Sequence, residues 1–282
     1  MSTRAATTER TLTPAVVVWH LVGIIAAWGS AWVLARVALG TRTGQWLDER
    51  ALKAAHRIWG ADTSPLAESA RSALDLLPTA AMVVAAIALV VFTLRSRRAL
   101  PAVVGIGTFA ASVASVQILK RWVLDKPDFA IHEAAINSFP SGHTALAAAA
   151  GLVVVLASPA RFRPVTAVIA AVVSAVAGAS TVINAWHRPS DAIAAILITC
   201  GWGLVGGLFL CATTGRASNA ATRFLALWLV ALAVVLVLIS GALAWFAWTG
   251  ATDGTALLAG MFAIGAGAGL GWGLLTLILQ HR

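Results

Sequence analysis

The chain has 282 residues, 60% of them hydrophobic and only 11% charged, with a formal net charge of +9 and a mean hydropathy of +0.87. A soluble domain carries about a quarter charged residues, so a water-soluble globular protein is excluded. The apolar residues fall instead in long blocks.

Residues 1–14 are polar and read as an unstructured N-terminal tail. A membrane-spanning helix needs about 20 apolar residues. Eight blocks qualify, near Ala15–Ala35, Leu74–Leu94, Leu100–Leu119, Thr144–Ala157, Val165–Ile183, Ala192–Cys211, Phe224–Ala247 and Thr255–Leu279. The fourth is short and reaches span length only if its helix begins near Ser141. The first reads as a retained span, because it is longer than a signal-peptide core, lacks a small-x-small cleavage site and is followed by further spans. Between the first two spans, Leu47, Leu52, Ala55 and Trp59 recur at near-helical spacing. That pattern suits an amphipathic helix in the outer interface, or a solvated loop helix. Trp122, Trp186, Trp245 and Trp248 fall at outer span ends, as an aromatic belt would.

The polar run Thr213–Thr222 divides a six-span core, 15–212, from a two-span C-terminal addition, 213–282. The last span carries Gly265, Gly267, Gly269, Gly271 and Gly273. Small residues at this spacing let helices approach closely, within the bundle or between subunits. Cys200 and Cys211 share one block and stand about 16 Å apart along a helix, too far to bridge, so both read as core thiols. The fold class is all-α, a polytopic membrane helix bundle.

Charge fixes the orientation. With the N-terminus inside, the cytoplasmic side receives Arg4, Arg10, Arg95, Arg97, Arg98, Arg161, Arg163, Arg216, Arg223 and Arg282 against the single acid Glu9. The whole net charge of +9 then lies on that side, and the basic and acidic residues of the outer side cancel. This is the positive-inside distribution, and it excludes nucleic acid as the explanation of the basic character. Both termini are placed in the cytoplasm. The scarcity of Lys against Arg and the abundance of Ala point to a GC-rich bacterial genome, and so to a bacterial plasma membrane.

Two polar constellations interrupt the apolar sequence, both on the outer side. In Phe139-Pro140-Ser141-Gly142-His143-Thr144 a loop turns into the fourth span. Ser141 and Gly142 would offer unpaired N–H groups at a helix N-terminus, which bind anions such as phosphate. His143, in the first turn, could give a proton to a leaving group. In Trp186-His187-Arg188-Pro189-Ser190-Asp191, Pro189 suits a first helical position. Asp191 follows His187 by one helical turn, so its carboxylate can fix the imidazole tautomer and leave the other ring nitrogen the better nucleophile.

These motifs resemble the type 2 phosphatidic acid phosphatase (PAP2) superfamily, membrane relatives of the vanadium haloperoxidases. Its pattern is Lys-x6-Arg-Pro, then Pro-Ser-Gly-His, then Ser-Arg-x5-His-x3-Asp. Pro140-Ser141-Gly142-His143 matches the second motif completely; His187 and Asp191 match the end of the third, with Ser180 at its serine position. The resemblance covers about residues 15–212. It implies a phosphohistidine on His187, oriented by Asp191, with His143 protonating the leaving group and Ser141 and Gly142 holding phosphate oxygens. It implies a lipid phosphate or diphosphate as substrate, membrane lipids as surroundings, and neither cofactor nor metal.

Two positions depart from the pattern. The third-motif Arg should stand six residues before His187, where the chain has Thr181. The first motif reads Lys120-Arg121-Trp122-Val123-Leu124-Asp125-Lys126-Pro127-Asp128. Anchored on Pro127, its Arg becomes Lys126 and Lys120 falls one residue short. The other register places Arg121 at the Lys position but Asp128 at the Arg position, where it would repel phosphate. The first register is preferred, with Lys120, Arg121 and Lys126 as phosphate contacts and Arg188 as a substitute for the missing Arg. Two other readings of the same residues are a degenerate member that only binds lipid phosphate, and a lipid phosphotransferase.

Overall fold

The computed structural model describes residues 13–131, 137–159, 161–214, 220–250 and 252–280. Most of the polar tail, the centre of the Thr213–Thr222 run, and the charges Arg4, Glu9, Arg10, Arg216 and Arg282 lie outside the described residues.

Among the described residues the chain forms nine α-helices and no strand: α1 Pro14–Ala38, α2 Arg42–Ala55, α3 Pro65–Ser96, α4 Leu100–Ile118, α5 Gly142–Ala157, α6 Arg163–Ile183, α7 Pro189–Thr214, α8 Ala220–Trp248 and α9 Asp253–Leu279. All but α2 are apolar. Seven are long and apolar enough to cross a membrane, and the eighth, α5, has 16 residues, about 24 Å of helix. The chain is an integral membrane protein. Hydropathy placed each span but not its polar ends. α3 starts nine residues before the apolar block, at a Ser64 cap whose side chain accepts from the Ala67 N–H at 3.3 Å. Large apolar side chains such as Ile25, Leu94, Trp228 and Leu238 stand exposed on α1, α3 and α8, as lipid-facing positions do.

The apolar helices alternate in direction, so the loops gather at two ends. One end holds the loop before α5, the loop before α7, α2 and the start of α9; the other holds the α3–α4 and α5–α6 turns. Trp122, Trp186, Trp245 and Trp248 are all exposed at the first end. Arg95, Arg98, Arg161 and Arg163 meet at the second.

The core is built on α5, α6, α7 and α9. Leu152, Val155, Ile196, Leu204, Ile264, Trp272 and Leu275 are buried together in one cluster. Trp272 donates its indole N–H to the Ser174 hydroxyl at 3.0 Å. The glycine stripe of α9 resolves into two faces within the bundle. Added Cβ atoms at Gly269 and Gly273 would lie 2.8 Å from Ala233 and 2.7 Å from Val230 of α8; those at Gly267 and Gly271 would meet Ile193 at 3.0 Å and Cys200 at 2.9 Å on α7.

Helix α2 does not span. Its buried side carries Gln45, Glu49, Ala51, Ala54 and Ala55, while Trp59, just beyond it, is exposed and Leu47 and Leu52 are half-buried. The amphipathic helix expected from Leu47, Leu52, Ala55 and Trp59 is present, but it turns its polar face inward. Arg50 fixes it to α9 by an ion pair to Asp253 at 2.5 Å and to the end of α8 by a bond to the Ala247 carbonyl at 2.6 Å. Arg57 also pairs with Asp253.

Gly269→Ala should lower the thermal midpoint in detergent, because its methyl has no room against Ala233; overpacking of this kind costs about 1–3 kcal/mol. Gly241→Ala on α8, where nothing lies within 4 Å, should leave the midpoint unchanged or raise it, since alanine restricts the unfolded chain. Equal midpoints for the two variants would contradict the packing assigned to the stripe.

Candidate active site

The two sequence constellations meet. Ser141 caps α5, its Oγ accepting from the Thr144 N–H at 3.3 Å and from the Thr144 hydroxyl at 2.9 Å. Its own N–H donates to the Asp191 carbonyl at 2.9 Å, which locks the start of α5 onto the start of α7. Ser141 is fully buried and its N–H is already used. The open donors of this helix end are therefore the Gly142 and His143 N–H groups, which have no bond among the described residues. A Cβ at Gly142 would stand 3.3 Å from the Gln117 amide nitrogen, so glycine keeps room between α4 and the loop.

The loop before α7 hangs from the end of α6. The Thr181 carbonyl accepts from the N–H groups of Trp186 and His187 at 2.9 and 3.1 Å, and Ala185 takes φ of 57° to complete the turn. Thr181 itself is buried, with its hydroxyl donating to the Gly178 carbonyl at 2.8 Å; Ser180 likewise bonds back to Ala177. The position where the family pattern has Arg serves here as a helix-end anchor for the histidine loop.

His187 Nδ1 lies 3.1 Å from Asp191 Oδ2. The same oxygen accepts from the Ser138 hydroxyl at 2.6 Å and from the Arg188 N–H at 3.1 Å. With Nδ1 carrying the proton shared with Asp191, His187 Nε2 is left with a lone pair. The His143 ring lies beside the His187 ring, centroid to centroid 6.1 Å, and packs on Trp186 at 5.0 Å. His187 is buried and His143 exposed.

The cations divide. Lys120, in the π turn Leu119–Val123 that ends α4, is close enough to Asp191 and His143 to feel both. Lys126 lies near Arg188, Glu49 and Asp191, and burial, followed by the Arg188 charge, pulls its ammonium below the ordinary lysine range. Arg121 is exposed and makes no ion pair among the described residues. Arg188 is buried and turned away from an open cradle: Nε and Nη2 donate to Glu49 Oε2 at 3.1 and 2.8 Å, and Nη1 donates to Ser138 at 3.0 Å.

Helix α2 supplies what the motifs lack. Gln45 donates to the Pro127 carbonyl at 2.8 Å and steadies the first-motif loop. Glu49 holds Arg188, and Asp48 accepts from the Ser190 N–H at 3.3 Å and from its hydroxyl. A chain of contacts thus runs from Glu49 through Arg188 and Ser138 to Asp191 and His187. None of Gln45, Asp48, Glu49 and Ser138 stood out in the sequence; the only signal was a polar face on an amphipathic helix. The Asp48 carboxyl is enclosed against Ser190 and pushed up to about 7, by burial first and then by the Asp191 carboxylate. No group of three metal-ligating side chains occurs among the described residues.

Residues 101–213 match the family model described as PAP2 superfamily. No curated protein and no solved structure matches the chain. The matched stretch carries both histidines, Asp191 and the lysines, whereas α2 and α9, which brace them, lie outside it.

The Asp48 carboxyl predicts a pH effect on stability. Its value in the fold lies above the ordinary 3.8, so the fold favours the neutral form. The stabilisation is full below about 4 and fades as pH rises through about 7. Asp48→Asn should therefore gain thermal midpoint relative to the parent at pH 8 and not at pH 4. A difference between the two proteins that is the same at both pH values would show that Asp48 does not titrate there.

Proposed function

We propose that this chain, whose residues 101–213 match the PAP2 superfamily model, is a membrane phosphatase that hydrolyses a lipid phosphate or diphosphate at the extracytoplasmic face through a phosphohistidine on His187. The observation that carries the reading is the His187–Asp191 pair at 3.1 Å, with the His143 ring 6.1 Å from that of His187, centroid to centroid.

Lipid leaving groups are poor, so the displacement gains from being divided between a good nucleophile and a proton donor. Asp191 holds the Nδ1 proton while the Nε2 lone pair attacks phosphorus. As the bond from phosphorus to the lipid oxygen breaks, His143 gives its proton to that oxygen. Water then attacks the phosphohistidine as His143 takes one of its protons. Inorganic phosphate leaves and Nε2 recovers its lone pair. The Gly142 and His143 N–H groups, with Lys120 and Lys126, are arranged to stabilise the charge on the transferring oxygens. Ser141 contributes by capping α5 and fixing those donors, and Arg188 by holding Ser138 and Asp191.

A lipid substrate is supported by an apolar groove of about 340 Å³ between α1, α4 and α7, lined by Trp28, Trp32, Ile118, Leu119, Leu124 and Phe139. Leu119 precedes Lys120 and Phe139 precedes Pro140-Ser141, so a chain in the groove would bring its headgroup to the cradle. The face is supported by the charge distribution: Arg95, Arg98, Arg161 and Arg163, with no described acidic residue beside them, gather at the end opposite His143 and His187, as cytoplasmic ends do.

The mechanism predicts that His187→Ala abolishes phosphate release and acid-labile phosphate labelling, that vanadate inhibits, and that activity survives chelators. His143→Ala should slow attack on a lipid ester far more than on p-nitrophenyl phosphate, whose leaving group scarcely needs a proton. An active His187→Ala protein would sink the mechanism; a chain that binds lipid phosphate and releases none would be a binding member instead. Phosphorylated acceptor in place of phosphate would make it a transferase.

For the orientation, Ser96→Cys and Thr252→Cys are placed at opposite ends of the bundle. Only Thr252→Cys should react with a membrane-impermeant thiol reagent in intact cells. Labelling at Ser96→Cys alone would put the histidines in the cytoplasm.

A further inference from the structure

At the end of the bundle opposite the histidines, the turns α3–α4 and α5–α6 and the ends of α7 and α9 enclose a cavity of about 570 Å³. Four guanidinium-bearing residues line it: Arg95, Arg98, Arg161 and Arg163. None forms an ion pair among the described residues, and every described acidic residue belongs to the other end. Arg161 lies over the Phe162 ring at 4.6 Å. Arg163 donates from Nη2 to the Ser158 carbonyl at 3.3 Å, while its Nε is buried with no hydrogen-bond partner. Leu156, Leu210 and Leu279 give the cavity an apolar floor.

Like charges around one enclosed space repel, and a buried charged donor without an acceptor is costly. A bound anion removes both penalties. Guanidinium forks match the geometry of phosphate oxygens, to which they bond in pairs. The apolar floor fits the carbon skeleton attached to such a group. We propose that this cavity is a second phosphate-ester site, separate from the catalytic one. In it the four arginines hold the phosphate of an anionic ligand, either a phospholipid headgroup of that leaflet or a soluble phosphate compound.

The test uses the purified full chain in maltoside micelles and follows the thermal midpoint. Phosphatidylglycerol should raise it by about 5 °C, as ligand in large excess over its dissociation constant does, whereas phosphatidylcholine should not. Arg98→Gln and Arg161→Gln alter two exposed members of the cluster, and each should remove most of the shift. Arg97→Gln makes the same charge change at the same end outside the cavity, and should keep it. His187→Ala should also keep it, so the result does not depend on the catalytic reading. Inorganic phosphate that reproduces the shift in the parent, and not in Arg98→Gln, would support the site with a soluble phosphate as its ligand. An undiminished phosphatidylglycerol shift in both Arg98→Gln and Arg161→Gln would overturn the proposal. So would the absence of any shift with either phosphate source.

Discussion

A single buried carboxylate holds the site end of this bundle together. Asp191 Oδ2 accepts from Ser138, from the Arg188 N–H and from the His187 ring, and the residue's own carbonyl accepts from Ser141. Removing a carboxylate from water costs several kcal/mol unless hydrogen bonds and charge replace the lost hydration. Here the replacements are the His187 ring, the loop before α5 and the first turn of α7. Two helix N-termini, each with the positive end of its dipole, are thereby fixed side by side. The geometry that orients His187 and the geometry that presents the Gly142 and His143 N–H groups follow from the same residue, through its carboxylate and its carbonyl.

That carboxylate is supported from outside the matched family segment. Ser138 is held by Arg188, Arg188 by Glu49, and Glu49 stands on α2, which Arg50 ties to Asp253 at the head of α9. A buried ion pair adds little net stability, but losing one partner leaves the other as an uncompensated charge. The pair therefore acts as a positional lock more than as a source of stability. α9 can serve as its foundation because glycines on two of its faces let it approach both α7 and α8.

Hydrophobic block length was enough to read the spans, since the chain must satisfy its backbone within each helix. The second and third motifs were legible because their residues are local: Ser141 to His143 within one turn, His187 and Asp191 one turn apart. The contribution of α2 was not. Asp48 and Glu49 lie about 140 residues from their partners Ser190 and Arg188, and a polar face on a short helix looks in sequence like a solvated one. The same distance explains Arg188. Beside His187 in sequence it reads as a phosphate contact, yet Glu49 takes two of its three nitrogens. Thr181, read as a gap in the phosphate cradle, proves to hold the turn that carries His187.

The electrostatics of the site follow from this arrangement. With Arg188 neutralised by Glu49, its charge cannot be counted toward attraction of a phosphate dianion. What is left is Lys120, Lys126 and the two helix ends. A lysine ammonium is a point charge without the guanidinium fork, so the oxygens must be oriented by the fixed N–H groups of Gly142 and His143 more than by the cations. On the proposed reading, that division gives a role to the hydrogen bonds gathered behind the starts of α5 and α7. Directional donors stabilise a transition state only when held in place beforehand, and a cradle with fewer forked cations depends more heavily on the backbone that Asp191 pins.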